Sequence, residues 1–161
     1  MSEQETKEIG LSELIADIKK AGASELVIEF EYPYVPGVFF QLAYASKQML
    51  RKISDASKES FFNTRTRQQE DRTNSEKFDR TTTRELIRGW RGLSVGAIKK
   101  IVPGLSLNAP DTLEIPYNEE LAFTMADNSV DFQIWITNTA MNSDNYSRIA
   151  EKKKEQYENL K

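Results

Sequence analysis

The chain has 161 residues and a formal net charge of −3, and its 39% of hydrophobic residues suffices for one modest core. It contains no cysteine and no histidine, which excludes disulfides, thiolate metal sites and histidine acid–base catalysis. No apolar run approaches the roughly 18 residues of a membrane span, and the start MSEQETKEIG lacks the pattern of a signal peptide, so we expect a single soluble, cytoplasmic domain over residues 1–161.

The N-terminal part is predicted to hold a flexible stretch followed by a helix. Residues 1–10 are polar and expected to be flexible. The next segment, LSELIADIKKA, predicts a short amphipathic helix, because its apolar residues recur at helical spacing. These residues are Leu11, Leu14, Ile15 and Ile18. We expect Gly22 to end this helix.

A small β/α part is predicted over about residues 24–67. Two strands, 27–32 and 38–44, are separated by Pro33 and Pro36-Gly37, which predicts a β-hairpin. Ser46 is the expected N-cap of a helix whose apolar face holds Met49, Leu50 and Ile53. The segment ESFFNTRTRQQ favours another strand, and residues 67–74 are predicted to be a polar loop.

A helical part is predicted over about residues 73–140, and its first helix starts with a capping box of Thr73 and Glu76. An apolar residue or threonine recurs every fourth position up to Trp90, so this helix is expected to include Trp90 in its last turn. Gly89 and Gly92 would then let the chain turn away. We interpret Trp90 as a core anchor at a helix–helix corner, with an exposed binding role as the alternative.

Three more helices are predicted towards the C-terminus. SVGAIKKIV would stop at Pro103-Gly104, and Asn118 would cap EELAFTMA. Asn128 or Ser129 would cap VDFQIWITNTAM, whose apolar face consists of Phe132, Trp135 and Ile136. A charged C-terminal helix is predicted over about residues 143–161. The predicted fold class is α+β, a mainly helical domain with a small antiparallel β element in the N-terminal half.

Arg80, Arg84 and Arg88 recur every four residues on the predicted helix. Such a row could bind phosphates or an acidic partner. The nearby acids Glu76 and Glu85 instead favour a solvated, internally paired face, and the pI near 5.2 argues against nucleic acid.

The other charged motifs do not predict catalytic, cofactor or metal chemistry. Asp127 and Asp131 lie four residues apart, but a calcium loop would need a glycine and a glutamate where Phe132 and Asn138 stand. The glycines before Lys99 lack the Gly-Lys-Ser/Thr sequence of a phosphate loop. We therefore predict that the protein is not an enzyme and has no cofactor.

Five aromatic residues surround the proline-rich turn: Tyr32, Tyr34, Phe39, Phe40 and Tyr44. They could form the core of the sheet, with some residues at its edge. They could instead form an adhesive edge that pairs with another chain.

Three segments of the chain carry a family resemblance. VFFQLAYASKQMLRKI has a strand entering a helix through Leu-x-Tyr, and ELIRGWRGLSVGAIKKIV contains Gly-Trp-x-Gly-Leu. EIPYNEELAFTMADNSVDFQIWI contains Ile-Pro-Tyr-x-x-Glu and then Asp-Phe-x-x-Trp-Ile. In this order the segments resemble the tail assembly chaperones of long-tailed, non-contractile bacteriophages, over roughly residues 38–138.

The resemblance implies a protein that binds the tape measure protein, a long helical ruler with exposed apolar faces. Such a chaperone keeps the ruler soluble in the host cytoplasm until tail tube subunits surround it, and is absent from the mature virion. Many members also have a longer, frameshifted form whose extension binds the tail tube protein. The chain could also form a homo-oligomer, and we expect no nucleic-acid or membrane partner.

The expected partner-binding residues combine the aromatic cluster, the arginine row and the two tryptophans. They are Tyr34, Phe39, Phe40, Arg84, Arg88, Trp90 and Trp135. One alternative function is a structural virion component, such as a tail completion or minor tail protein. Another is a small host-takeover protein that binds a regulator. Presence in purified particles would separate the structural component from the chaperone.

Overall fold

The computed structural model describes residues 10–147. The predictions for residues 1–9 and for the part of the C-terminal helix after residue 147 lie outside this range. The elements, in chain order, are α1 Leu11–Ala23, β1 Val27–Glu31, β2 Phe39–Ala43, α2 Lys47–Ala56, β3 Lys58–Asn63, β4 Gln68–Thr73, α3 Ser75–Leu86, β5 Ile87–Arg91, α4 Val95–Ile101, α5 Glu119–Asp127 and α6 Val130–Met141. Residues 143–147 are also helical. The mainly helical α+β class is confirmed.

The larger sheet has the antiparallel strand order β1-β2-β5. The predicted hairpin of β1 and β2 is confirmed, with Phe30 opposite Phe40. The prediction that a helix extends to Trp90 is wrong: α3 ends at Leu86, and the chain continues directly into β5, which places Trp90 opposite Phe40. Backbone pairing with β2 therefore outweighs the helical spacing of the apolar residues.

A second, two-stranded sheet consists of β3 and β4. The predicted loop over residues 67–74 is wrong, because most of it forms β4. Polar cross-strand contacts hold this strand: Ser60 donates to Asp71 over 2.8 Å, and Asn63 donates to Glu70 over 3.0 Å. Such pairs stabilise a strand that lacks an apolar alternation.

Local capping chemistry sets where the helices begin. The predicted caps Ser46, Asn118 and Ser129 each accept a hydrogen bond from the backbone N–H three residues on. The predicted capping box is wrong: Thr73 ends β4, and Asn74 accepts from the Lys77 N–H over 3.0 Å instead. α1 also ends one residue after the predicted Gly22.

The core lies between the three-stranded sheet and helices α3, α5 and α6, with Phe40, Ile87 and Phe132 fully buried. Tyr146 closes the core from the C-terminal side. Its hydroxyl donates to the Leu42 carbonyl over 3.2 Å, and its ring centroid lies 5.5 Å from that of Phe30. Burial raises the pKa of Tyr146, so the hydroxyl remains a donor.

Candidate functional site

Trp90 joins two of the segments that carry the family resemblance. Its side chain is 8% exposed, and its indole N–H donates to the Ile115 carbonyl over 2.8 Å. Tyr117 packs on the indole with centroids 4.9 Å apart and donates its hydroxyl to the Ile87 carbonyl over 3.0 Å. The prediction that Trp90 is a core residue is confirmed. The predicted helix–helix corner is wrong, because Trp90 lies in strand β5, beside the loop that precedes α5.

Gly92 follows β5 where the chain passes the turn between β1 and β2. Its φ is +73°, and a Cβ built on it would lie 2.2 Å from the Gly37 carbonyl oxygen. The two backbones therefore approach more closely than any side chain permits. Gly89 likewise lies beneath the side chain of Gln41. Close packing therefore explains both glycines of Gly-Trp-x-Gly-Leu.

The aromatic cluster around the proline-rich turn is divided between core and surface. Tyr32 and Phe40 are enclosed, with Phe40 0% exposed, so Phe40 is a core residue rather than a partner contact. Trp90, enclosed beside it, is likewise not available to a partner. Phe39 is half-buried beneath the Arg91 guanidinium, 3.9 Å from its ring centroid.

Two predicted partner-binding residues meet at the surface through Tyr32. The Tyr32 ring centroid lies 5.4 Å from that of Tyr34 and 4.9 Å from that of Trp135. Tyr34 is 70% exposed and Trp135 is half-buried. We call Tyr34 and Trp135 the aromatic edge. Burial raises the pKa of Tyr32, as does the nearby carboxylate of Asp131, so this phenol stays neutral.

The outer side of α6 carries an apolar row that sequence reasoning missed. Val130, Ile134 and Met141 are 72%, 52% and 53% exposed. At about 100° per residue they fall within a sector of roughly 40°, away from the buried Phe132 and Ile136. We call these three residues the α6 face. Apolar residues on both sides of one helix were its signal in the sequence.

The amphipathic helix α1 forms as predicted, but it buries none of its residues. Leu11, Leu14, Ile15 and Ile18 are 72%, 42%, 45% and 61% exposed. We call these four residues the α1 stripe. Among the described residues, α1 contacts the rest of the protein at α2, and no residue of the stripe is buried.

Arg84 and Arg88 belong to an internal network of ion pairs. Both approach Glu85, whose side chain is only 11% exposed, at 3.9 and 3.5 Å. Lys52 approaches the same carboxylate at 3.2 Å, and Arg88 also pairs with Glu25. Because Arg88 lies in β5, the predicted continuous helical row is wrong.

Arg80 completes the paired surface. It lies 2.5 Å from Glu120 of α5 and 3.8 Å from Glu76 of α3. Arg84 reaches Glu119 at 3.9 Å in the same way. The expected internally paired face is therefore confirmed: Arg80 and Arg84 join α3 to α5, and Arg88 joins β5 to Glu25 and to Glu85 of α3.

The outer edge of β1 carries no described strand and is lined by acidic residues. Arg91 donates to Glu29 over 2.9 Å, and this bond lowers the pKa of the carboxyl. Glu31 accepts from the Gly37 N–H over 3.2 Å. Charged side chains on an edge strand oppose pairing with another chain. The adhesive-edge alternative thus has little support in β1.

No protein-family model, curated protein or solved structure matches the chain. Among the helices of residues 10–147, none has both the length and the apolar character needed to cross a bilayer.

Proposed function

We propose that the protein is a tail assembly chaperone that binds the tape measure protein in the host cytoplasm and keeps it soluble while the tail tube assembles. The resemblance of three segments supports this function. The observation that carries it is the α6 face, an uncovered apolar row beside a well-packed core. A protein that holds an aggregation-prone client needs such a surface, with polar residues at its rim.

The α6 face suits a helical client. Its residues stand at positions i, i+4 and i+11, so they form a ridge along the helix axis that can fit between the side chains of a second helix. The rim is polar, with Asp131, Gln133 and Asn138 exposed nearby on α6. The aromatic edge, on the same helix at Trp135, can extend the contact at low entropic cost.

One copy would bind weakly. Burying the exposed half of three aliphatic side chains supplies about 1 kcal/mol each, and association itself costs at least several kcal/mol. We therefore expect many copies to coat each tape measure chain, where repeated contacts raise the overall affinity. A long helical ruler offers the repeated sites that such binding needs.

Co-expression with the cognate tape measure protein tests the proposal. The wild-type protein should keep its client soluble and co-purify with it, also at about 0.5 M salt, where the screening length is a few ångströms. Ile134→Asp should abolish both effects, because it places a charge in the centre of the α6 face. Gln133→Asp is the matched control, since it adds the same charge at the exposed polar rim and should weaken binding much less.

Three outcomes would contradict the proposal. The client could remain insoluble with the wild-type protein present. Ile134→Asp, folded by circular dichroism, could bind as the wild type does. The protein could also be found in stoichiometric amount in purified particles, and a structural virion role would then replace the chaperone function.

A further inference from the structure

We propose that two copies of the chain associate through α1, side by side and parallel, with the α1 stripe of each copy facing the other. The stripe is apolar, occupies the first eight residues of the helix and contains no buried residue, with Leu11 and Ile18 mostly exposed. A helix of 13 residues is marginal in water unless its apolar face packs against something. A second copy of the same stripe satisfies this need by two-fold symmetry.

The stripe forms one continuous face of the helix. At about 100° per residue its four residues lie within a sector of roughly 100°, centred near Leu11 and Ile18. Two such faces can pack lengthwise against each other. Towards the end of the helix the face continues as Ala21 and Gly22, which permit close approach.

The charges beside the stripe indicate the parallel orientation. Asp17 lies on one side of the stripe and Lys19 on the other, and both are exposed. In a parallel pair, each Asp17 therefore faces Lys19 of the second copy. An antiparallel pair would instead bring the two Asp17 carboxylates together near the symmetry axis. The opposite charges on the two flanks make the parallel arrangement self-complementary.

The first test is the oligomeric state of the full chain. Sedimentation equilibrium should show a monomer–dimer equilibrium with dimers populated at about 100 µM protein, because an interface of this size is small. Ile15→Asp should leave a monomer at every concentration. Ala16→Asp, on the opposite side of α1, is the matched control and should dimerise as the wild type does. A wild-type protein that stays monomeric to about 200 µM would overturn the proposal.

Charge variants test the pairing itself. Asp17→Lys alone and Lys19→Glu alone should each dimerise about tenfold more weakly, because like charges then face each other twice. Mixing the two variants should restore association. The lysine introduced in one copy then faces the glutamate introduced in the other, and the unaltered Lys19 of the first copy faces the unaltered Asp17 of the second. A mixture that associates no better than either variant alone would contradict the assigned contacts.

Because the chain has no cysteine, single cysteines report the orientation. Under mild oxidation the cysteine of Leu14→Cys should form a disulfide with the same cysteine of the second copy. Glu13→Cys, on the opposite side of the helix, should not form one. An antiparallel pair would instead cross-link a mixture of Leu14→Cys and Ile18→Cys more readily than Leu14→Cys alone, which would refute the parallel arrangement. These measurements need no tape measure protein, so they succeed or fail independently of the proposed function.

Discussion

The indole N–H of Trp90 donates a hydrogen bond to the main-chain carbonyl of Ile115, 2.8 Å away. This bond fastens β5 to the loop that leads into α5. The indole also packs against Phe40 in the core and Tyr117 on the loop, with centroid distances of 6.2 and 4.9 Å. One side chain thus fills part of the core and supplies a hydrogen-bond donor to a loop carbonyl.

Trp90→Ala should lower the free energy of unfolding by about 3–5 kcal/mol, from both the lost packing and the cavity. A domain of this size has only about 5–15 kcal/mol in total. Trp90→Phe should cost less, because a ring remains and the main loss is the donor to Ile115. Urea unfolding measures both. A melting temperature of Trp90→Ala within a degree or two of wild type would refute the core role.

Gly92→Ala should destabilise the protein more than Gly37→Ala. Both glycines have positive φ, +73° and +89°, so each substitution carries the strain of a left-handed residue, about 1–2 kcal/mol. Only at Gly92 would the new methyl group also collide with backbone, 2.2 Å from the Gly37 oxygen, whereas the Cβ at Gly37 meets open space. Thermal unfolding of the two variants compares these effects, and equal losses would show that the close approach is unimportant.

The sequence predicts those parts of the fold that depend on neighbouring residues. Ser46, Asn118 and Ser129 cap their helices because an N-cap acts over only three residues of chain. The strand β5 was not predicted because a distant partner, β2, decides it. The strand β4 was missed because its residues are polar and lack an apolar alternation, although its partner β3 directly precedes it. Residues 87–91 have helical spacing of apolar groups, and only the presence of β2 makes the strand more favourable.

The candidate site shows the same limit. Tyr34 and Trp135 could be selected as surface aromatics from the sequence, but only folding places Tyr32 between them. Phe40 looked equivalent to Phe39, and the alternation of the strand predicts that the two point to opposite faces without saying which is buried. The α6 face was visible as a second apolar row, but its exposure depends on how the helix packs.

Glu29 should make stability depend on pH. In the folded chain the hydrogen bond from Arg91 lowers the pKa of the Glu29 carboxyl. In the unfolded chain this pKa is about 4.3. The pair therefore stabilises the fold above the unfolded value, and the contribution disappears as pH falls through the folded pKa. Because solvent reaches about a third of this side chain, the effect should not exceed about 1 kcal/mol.

Glu29→Gln measures this contribution directly. The variant should be less stable than wild type at neutral pH, and the two should converge as the pH falls below the folded pKa of the wild-type carboxyl. Denaturant unfolding at several pH values gives the comparison. A difference that stays constant over the whole range would assign the loss to packing instead of charge.

The protein should bind duplex DNA only non-specifically, with a Kd of about 10⁻⁴ M at physiological salt. Arg80, Arg84 and Arg88 are already paired with glutamates of the same chain, so phosphates would have to displace these partners. Fluorescence anisotropy with a labelled duplex gives the constant. A sub-micromolar, salt-sensitive interaction would contradict the internal pairing of this surface.

Tyr146 has a consequence for the order in which the chain acquires its structure during synthesis. Its hydroxyl reaches Leu42, 104 positions earlier, and β2 also waits for its neighbour β5. The hairpin of β1 and β2 is synthesised early, yet the Leu42 carbonyl gains its Tyr146 partner only when almost the whole described chain has been made. Contacts between such distant residues are slow to form. Synthesis from the N-terminus therefore leaves the edge of β2 unpaired until β5 follows, and the Tyr146 contact, which closes the core, can form only near the end.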